Sequence, residues 1–312
     1  MKTILLDTDM LTDCDDAAAL AMLLNLEKAG ECRIAGVCVS SRHPCSAAVV
    51  HAILTYYGRP DIPVGAPKNG RGAYRADSCF LEDVSGRFPH TLRNNDEAED
   101  AVRVYRRILA EAEDGGVTIA TIGYMTNLAD LLDSPADDLS PLEGRELVRR
   151  KVACWVCMGG NFPVDTARDN VNFTRDMPSA YKALTEWPGI IHFVGREVGH
   201  NIFAGEGLRK TPEDNPVRRA YELHRSRFTP DNWNHHTADP STVLYAVRGC
   251  GAWFRLSEPG FIDLKPNGAF TWAFDSAGTQ RRLLVECDYA ELAAVMEELM
   301  CRGPYSENCK NF

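Results

Sequence analysis

Apolar and polar positions along the chain fall into blocks of two alternating kinds. Thr3 to Asp7 is a short apolar run that predicts a strand, and Asp15 to Glu27 carries the spacing of a buried or amphipathic helix. Arg33 to Ser40 predicts a second strand, Ser46 to Tyr57 a helix, and Asp61 to Ala66 a third strand closed by Pro67. After a polar stretch from Lys68 to Asn95 come a helix over Glu97 to Ala112 and a β-branched strand over Val117 to Ile122. A helix around Asn127 to Leu132, a strand at Val152 to Met158, a helix near Ser179 to Glu186 and a strand at Gly189 to Val194 continue the pattern. The tail, Ala252 to Gly278, reads as short strands and turns, followed by a strand at Arg282 to Glu286 and a helix at Ala290 to Met300.

Strands that are apolar throughout and alternate with helices predict an α/β class: a mostly parallel central sheet, doubly wound, with helices on both faces. No linker rich in Pro, Gly or Ser and no internal repeat divides the 312 residues, so 1–312 are expected to form one domain. In such sheets ligands collect beyond the carboxyl ends of strands. That rule singles out Asp7 to Asp16, Ser40 to Arg42, Gly123 to Asn127 and Met158 to Asn161.

A net charge of −10 argues against a phosphate-backbone surface, so nucleic acid is excluded as a partner. The longest unbroken apolar run, Ala17 to Leu24, is far short of the roughly 20 residues that cross a bilayer, so no membrane is expected. The first 16 residues lack the pattern of an export signal, and eleven cysteines, an odd number, read as reduced thiols. Both point to a cytoplasmic location. Cys154 and Cys157 make a CxxC on a strand, where residues three apart face opposite sides, so no zinc or redox role is assigned.

Asp7, Asp9, Asp13, Asp15 and Asp16 crowd the end of the first strand. Helix capping accounts for two of them. The whole cluster is answered by a hard divalent cation held through oxygen. The Gly at loop position six and the Glu at position twelve of an EF-hand are missing. Asp7-Thr-Asp-Met-Leu-Thr partly resembles the DxDx(T/V) box of haloacid dehalogenase phosphatases, in which Asp7 would be the nucleophile, but no GDxxxD follows it.

Asp7-Thr-Asp-Met-Leu-Thr-Asp-Cys-Asp-Asp-Ala-Ala-Ala-Leu resembles more strongly the DxDxGxDD-A-x-A-L box of the inosine–uridine-preferring nucleoside hydrolases. Gly58-Arg-Pro-Asp-Ile-Pro-Val, Gly123-Tyr-Met-Thr-Asn-Leu-Ala, Met158-Gly-Gly, Asn170-Val-Asn-Phe and Asp239-Pro-Ser-Thr-Val-Leu-Tyr-Ala-Val resemble further motifs of that family in order. The resemblance covers residues 3 to about 248 and implies a nucleoside hydrolase fold and cleavage of an N-ribosidic bond. It implies Ca2+ held by Asp9, Asp16, Asp239 and the backbone carbonyl of Thr126, with Asp9 as general base. Asp15, Asn172, Asn161 and Asn170 are implied as ribose partners. The partner expected is a small-molecule nucleoside, and the assembly a homodimer or homotetramer.

The chain departs from the family's pattern in places. The aspartate box carries two extra residues, leaving Asp13 without a counterpart, and Asn170 stands where the family has an acid. Ala238 stands where a leaving-group histidine is often found. His235 or His236, three or four residues before Asp239, is the expected substitute, and His90 is a further candidate for the pocket. Trp233 and Tyr124 are candidates to stack on a base. Without a donor, a calcium-dependent nucleoside- or sugar-binding protein with weak catalysis is the alternative.

Overall fold

A computed structural model describes residues 1–68, 70–166 and 170–304. Its strands are β1 (Lys2–Thr8), β2 (Cys32–Val39), β3 (Val64–Ala66), β4 (Glu99–Asp100), β5 (Val117–Thr121), β6 (Val152–Met158) and β7 (Val164–Asp165). They continue with β8 (Ile191–Val194), β9 (Phe203–Ala204), β10 (His235–His236), β11 (Phe254–Leu256), β12 (Gly260–Leu264), β13 (Phe270–Phe274) and β14 (Gln280–Val285). The helices are α1 (Asp15–Lys28), α2 (Ser46–Tyr56), α3 (Leu81–Arg87), α4 (Ala101–Glu111), α5 (Thr126–Asp133) and α6 (Gly144–Lys151). Then follow α7 (Val171–Thr174), α8 (Met177–Glu186), α9 (Arg196–Gly199), α10 (Pro216–Phe228), α11 (Ala238–Arg248) and α12 (Tyr289–Cys301).

The main sheet runs β4-β3-β2-β1-β5-β6-β8-β14-β12-β13-β7, with β11 on β14. From β4 to β14 every pairing is parallel, and β12, β13 and β7 extend the sheet in antiparallel fashion. The expected doubly wound α/β architecture is therefore present, with an antiparallel extension. Alternation along β1 serves two cores: Ile4 and Leu6 pack on one face, Leu5 on the other. Helix α1 is buried almost all round, which its alanines permit, because α11 and α12 pack against it. Among the described residues no helix is long and apolar enough to cross a membrane.

Three helices escape a periodicity argument. Within the polar stretch after Lys68, α3 buries only Leu81 and Val84, and Ser78 Oγ accepts from Leu81 N at 3.0 Å. Helix α6 buries two apolar side chains, Leu147 and Val148, amid charges. Helix α10 announces itself by its cap instead: Asn215 Oδ1 accepts from Val217 N at 2.9 Å and Pro216 takes the first turn. The helix expected from Glu97 begins only at Ala101, because Glu99 and Asp100 pair with β3 and Asp100 caps the helix. Cys154 and Cys157 are free and pack into opposite cores, as a strand requires.

Candidate active site

The chain winds from β1 outward to β4, then restarts at β5 on the other side of β1. That reversal leaves a crevice beyond the carboxyl ends of β1 and β5. Backbone ties fix its floor. Ile122 N donates to Asp7 O at 2.7 Å, Ser40 N to Thr8 O at 2.8 Å, and Tyr124 N to Ser40 Oγ at 3.0 Å. Gly123 is required here, because a Cβ would lie 2.3 Å from Asp9 N. The resulting cleft, of about 320 Å³, is lined by Asp9, Asp13, Asp15, Asp16 and Asp239, which come from two distant segments.

Carboxylate oxygens of Asp15, Asp16 and Asp239 lie within 4.8 Å of one another, and all three residues are buried. Thr8 Oγ1 donates to Asp16 Oδ1, which also accepts from Met10 N at 3.2 Å. Asp239 N donates to Asp15 Oδ2 at 3.4 Å, so α11 is tied to the first turn of α1. Burial, then repulsion from neighbouring carboxylates, pushes Asp16 and Asp239 well above the usual range. Burial raises Asp9 to about 7, with Asp13 and Asp15 adding to the rise and a hydrogen bond from Tyr124 opposing it. Carboxylates so disposed need a positive charge, and an all-oxygen donor set suits a hard cation such as calcium.

Asp7 is different. It is fully buried beneath the cleft, where Oδ2 accepts from Tyr105 OH and Asn127 Nδ2, each at 2.9 Å. It does not line the cleft, so the phosphatase reading with Asp7 as nucleophile falls.

Above the carboxylates stands a histidine cluster. His235 Nε2 lies 2.5 Å from Asp13 Oδ1, His224 Nε2 3.3 Å from the same oxygen, and His236 Nε2 3.5 Å from Oδ2. The other ring nitrogen of His236 is 3.2 Å from Asp15 Oδ2. Burial would lower His236, yet Asp15 and Asp13 raise it to about 10. His236 lines the cleft and stacks on His200 with ring centroids 4.1 Å apart; His235 faces Asp13 instead and is not part of the lining. Among the described residues strand β10, which carries both histidines, pairs only with β9. Ala238 packs on Gly199, whose Cα would gain a Cβ only 2.3 Å from Ala238 Cα.

The expected sugar-side residues are partly brought together. Asn172 donates through Nδ2 to the Ile122 and Met158 carbonyls, both at 3.3 Å. Asn170 Oδ1 accepts from Gly160 N at 3.1 Å, leaving its buried Nδ2 at the cleft without a partner. Asn161 is exposed and does not line the cleft. His90 is also misplaced by the sequence reading: Nε2 bonds back to the Ser85 carbonyl at 2.7 Å, outside the cleft. Thr126 opens α5, buried, with Oγ1 donating to Asp176 at 2.5 Å, and at that strand end Ile122 and Tyr124 line the cleft. Tyr124 lines the cleft and Trp233 does not; Arg225 covers the latter's ring.

Arg75, Arg196 and His200 line the cleft but were not singled out from the sequence. The strand-end rule would have found Arg196, which opens the short helix just after β8, whereas His200 lies at that helix's far end.

The chain belongs to the inosine-uridine preferring nucleoside hydrolase family, which it matches over residues 4–298. Members of this family are N-ribosyl hydrolases, acting on N-glycosyl compounds. The same fold is seen in a plant nucleoside hydrolase, at 20% identity and TM-score 0.70, over 96% of this chain and 99% of that chain. An inosine-uridine preferring nucleoside hydrolase from Bacillus anthracis aligns at 16% identity and TM-score 0.69, over 96% and 99%. A purine-preferring ribonucleoside hydrolase from Gardnerella vaginalis aligns at 16% and 0.72, over 96% and 98%. No curated protein sequence matches the chain.

Proposed function

We propose that this protein is a calcium-dependent hydrolase that cleaves the N-glycosidic bond of a ribonucleoside to ribose and free base. The observation that carries the reading is the convergence of Asp15, Asp16 and Asp239 oxygens within 4.8 Å, with Asp9 lining the same cleft. Asp9, Asp16, Asp239 and the backbone carbonyl of Thr126 are the residues that would hold the ion. When bound, calcium supplies a positive charge that acidifies water and orients it toward the anomeric carbon.

Asp9 is the general base, since it lines the cleft beside the other ion-holding carboxylates, where the attacking water would lie. Asp15 and Asp239 grip the ribose hydroxyls and offset the positive charge that develops on the sugar as the base departs. Asn172 and the unpartnered Nδ2 of Asn170 hold the sugar from the opposite wall. His236, kept protonated by two carboxylates, gives its proton to the departing base, so Ala238 need not. His235 positions Asp13.

The test is a screen of purine and pyrimidine nucleosides together with a nitrophenyl riboside, with calcium present. Release of free base supports the reading. Calcium and nucleoside binding without turnover of any of these would establish the binding-protein alternative instead.

A further inference from the structure

His235 Nε2 lies 2.5 Å from Asp13 Oδ1 and His236 Nδ1 3.2 Å from Asp15 Oδ2, and among the described residues neither contact has the geometry of N–H donation. Imidazole and carboxylate donors thus gather at one place beside the cleft. One donor atom from each of Asp13, Asp15, His235 and His236 falls within 4.8 Å of the others. Two imidazoles and two carboxylates make a four-ligand set of charge −2, which neutralises a divalent ion and fits tetrahedral zinc. Imidazole donors select borderline transition ions over calcium, which the all-oxygen cluster below prefers. His224 Nε2, 3.3 Å from Asp13 Oδ1, supplies the outer contact that orients a ligating carboxylate.

We propose that Asp13, Asp15, His235 and His236 form a second cation site, for a transition ion of the zinc type, directly beside the first. Asp15 belongs to both groups of converging donors. A filled second site ties the His236 side chain, which lines the cleft, to the ion, and so takes it out of the reaction and stops turnover. The site itself stands independently of the hydrolase reading.

Calcium-saturated protein is dialysed against zinc chloride and its metals counted. One zinc per chain in addition to the resident calcium is expected, and cobalt(II) in its place gives the visible bands of a tetrahedral nitrogen–oxygen site. His235→Ala and Asp13→Asn each weaken zinc binding by about tenfold or more while the calcium-induced thermal shift is kept, which also shows that the variants fold. Should either fail to fold, the cobalt spectrum of the unmodified protein decides, and absence of tetrahedral bands overturns the proposal. Replacement of calcium by zinc one for one, zinc affinity untouched by both substitutions, or zinc bound with full turnover overturns it as well. The zinc count depends neither on turnover nor on which ion fills the aspartate cluster, so its failure is distinguishable from failure of the proposed activity.

Discussion

Nδ1 of His236 lies 3.2 Å from Oδ2 of Asp15. An imidazole that lines the cleft is thereby coupled to one of its buried carboxylates. General-acid help is worth about 10² to 10⁴ in rate and matters only for poor leaving groups. His236→Ala should therefore slow natural nucleosides by about a hundredfold or more while sparing a nitrophenyl riboside. His235→Ala should show a smaller loss of the same selectivity. Paired kcat/KM measurements on both substrates check this, and equal losses on the two would remove His236 from the role.

Asp9→Asn should lower kcat by at least about a hundredfold on both substrate types, since the attacking water is common to them. Asp7→Asn is the contrasting variant. Its target is fully buried and bonded to Tyr105 and Asn127 beneath the cleft, so its effect should appear in thermal melting before kcat.

Removal of the cation leaves Asp16 and Asp239 buried and repelling one another. Chelator-treated protein should melt lower, and calcium at about 100 times its Kd should restore about 2.7 kcal/mol. Asp239→Asn should abolish the calcium-induced shift in differential scanning measurements. A shift that survives would place the ion elsewhere.

Gly199 offers a test of how α11 is seated. A Cβ there would lie 2.3 Å from Ala238 Cα and 2.6 Å from Ala238 N, so Gly199→Ala must displace the backbone next to Asp239. Calcium affinity and Tm should both fall. Gly86→Ala, in α3 with nothing within 4 Å, should leave both unchanged or raise Tm slightly.

Far from the cleft, buried Arg106 holds Asp137 through two 2.8 Å bonds and also donates to Ser134 Oγ and the Ser140 and Leu142 carbonyls. That guanidinium lowers Asp137 to about 2. The folded pKa lies below the ordinary 3.8, so the pair's stability is present above that value and is lost as pH falls through about 2. Asp137→Ala, which strands a buried charge, should cost about 3 kcal/mol at pH 7 by denaturant unfolding and flatten the acid limb of the stability profile.

Much of this architecture was legible in the order of residues. The apolar strands at Thr3, Arg33, Val117 and Val152 and the aspartates after the first of them already located the crevice. What escaped had physical causes. Helices α3 and α6 bury too few side chains to impose a period, and the Glu99–Asp100 pairing depends on Gly65 and Ala66 of β3, far back along the chain, rather than on its own sequence. His90 and Asn161 lie outside the cleft because a motif gives spacing along the chain but not which group turns inward. Arg75 reaches the cleft from a loop that no strand-end or periodicity rule singles out.

Strand β10 has a consequence for how this enzyme can change. The aspartates sit at the carboxyl end of a central strand and at the starts of α1 and α11, whereas among the described residues the two histidines ride on a ribbon paired with Phe203 and Ala204. The residues proposed for bond attack and for base departure thus stand on separate pieces of backbone that meet at the His236–Asp15 contact. Substitutions in the ribbon should therefore alter leaving-group preference more than the seating of the aspartates.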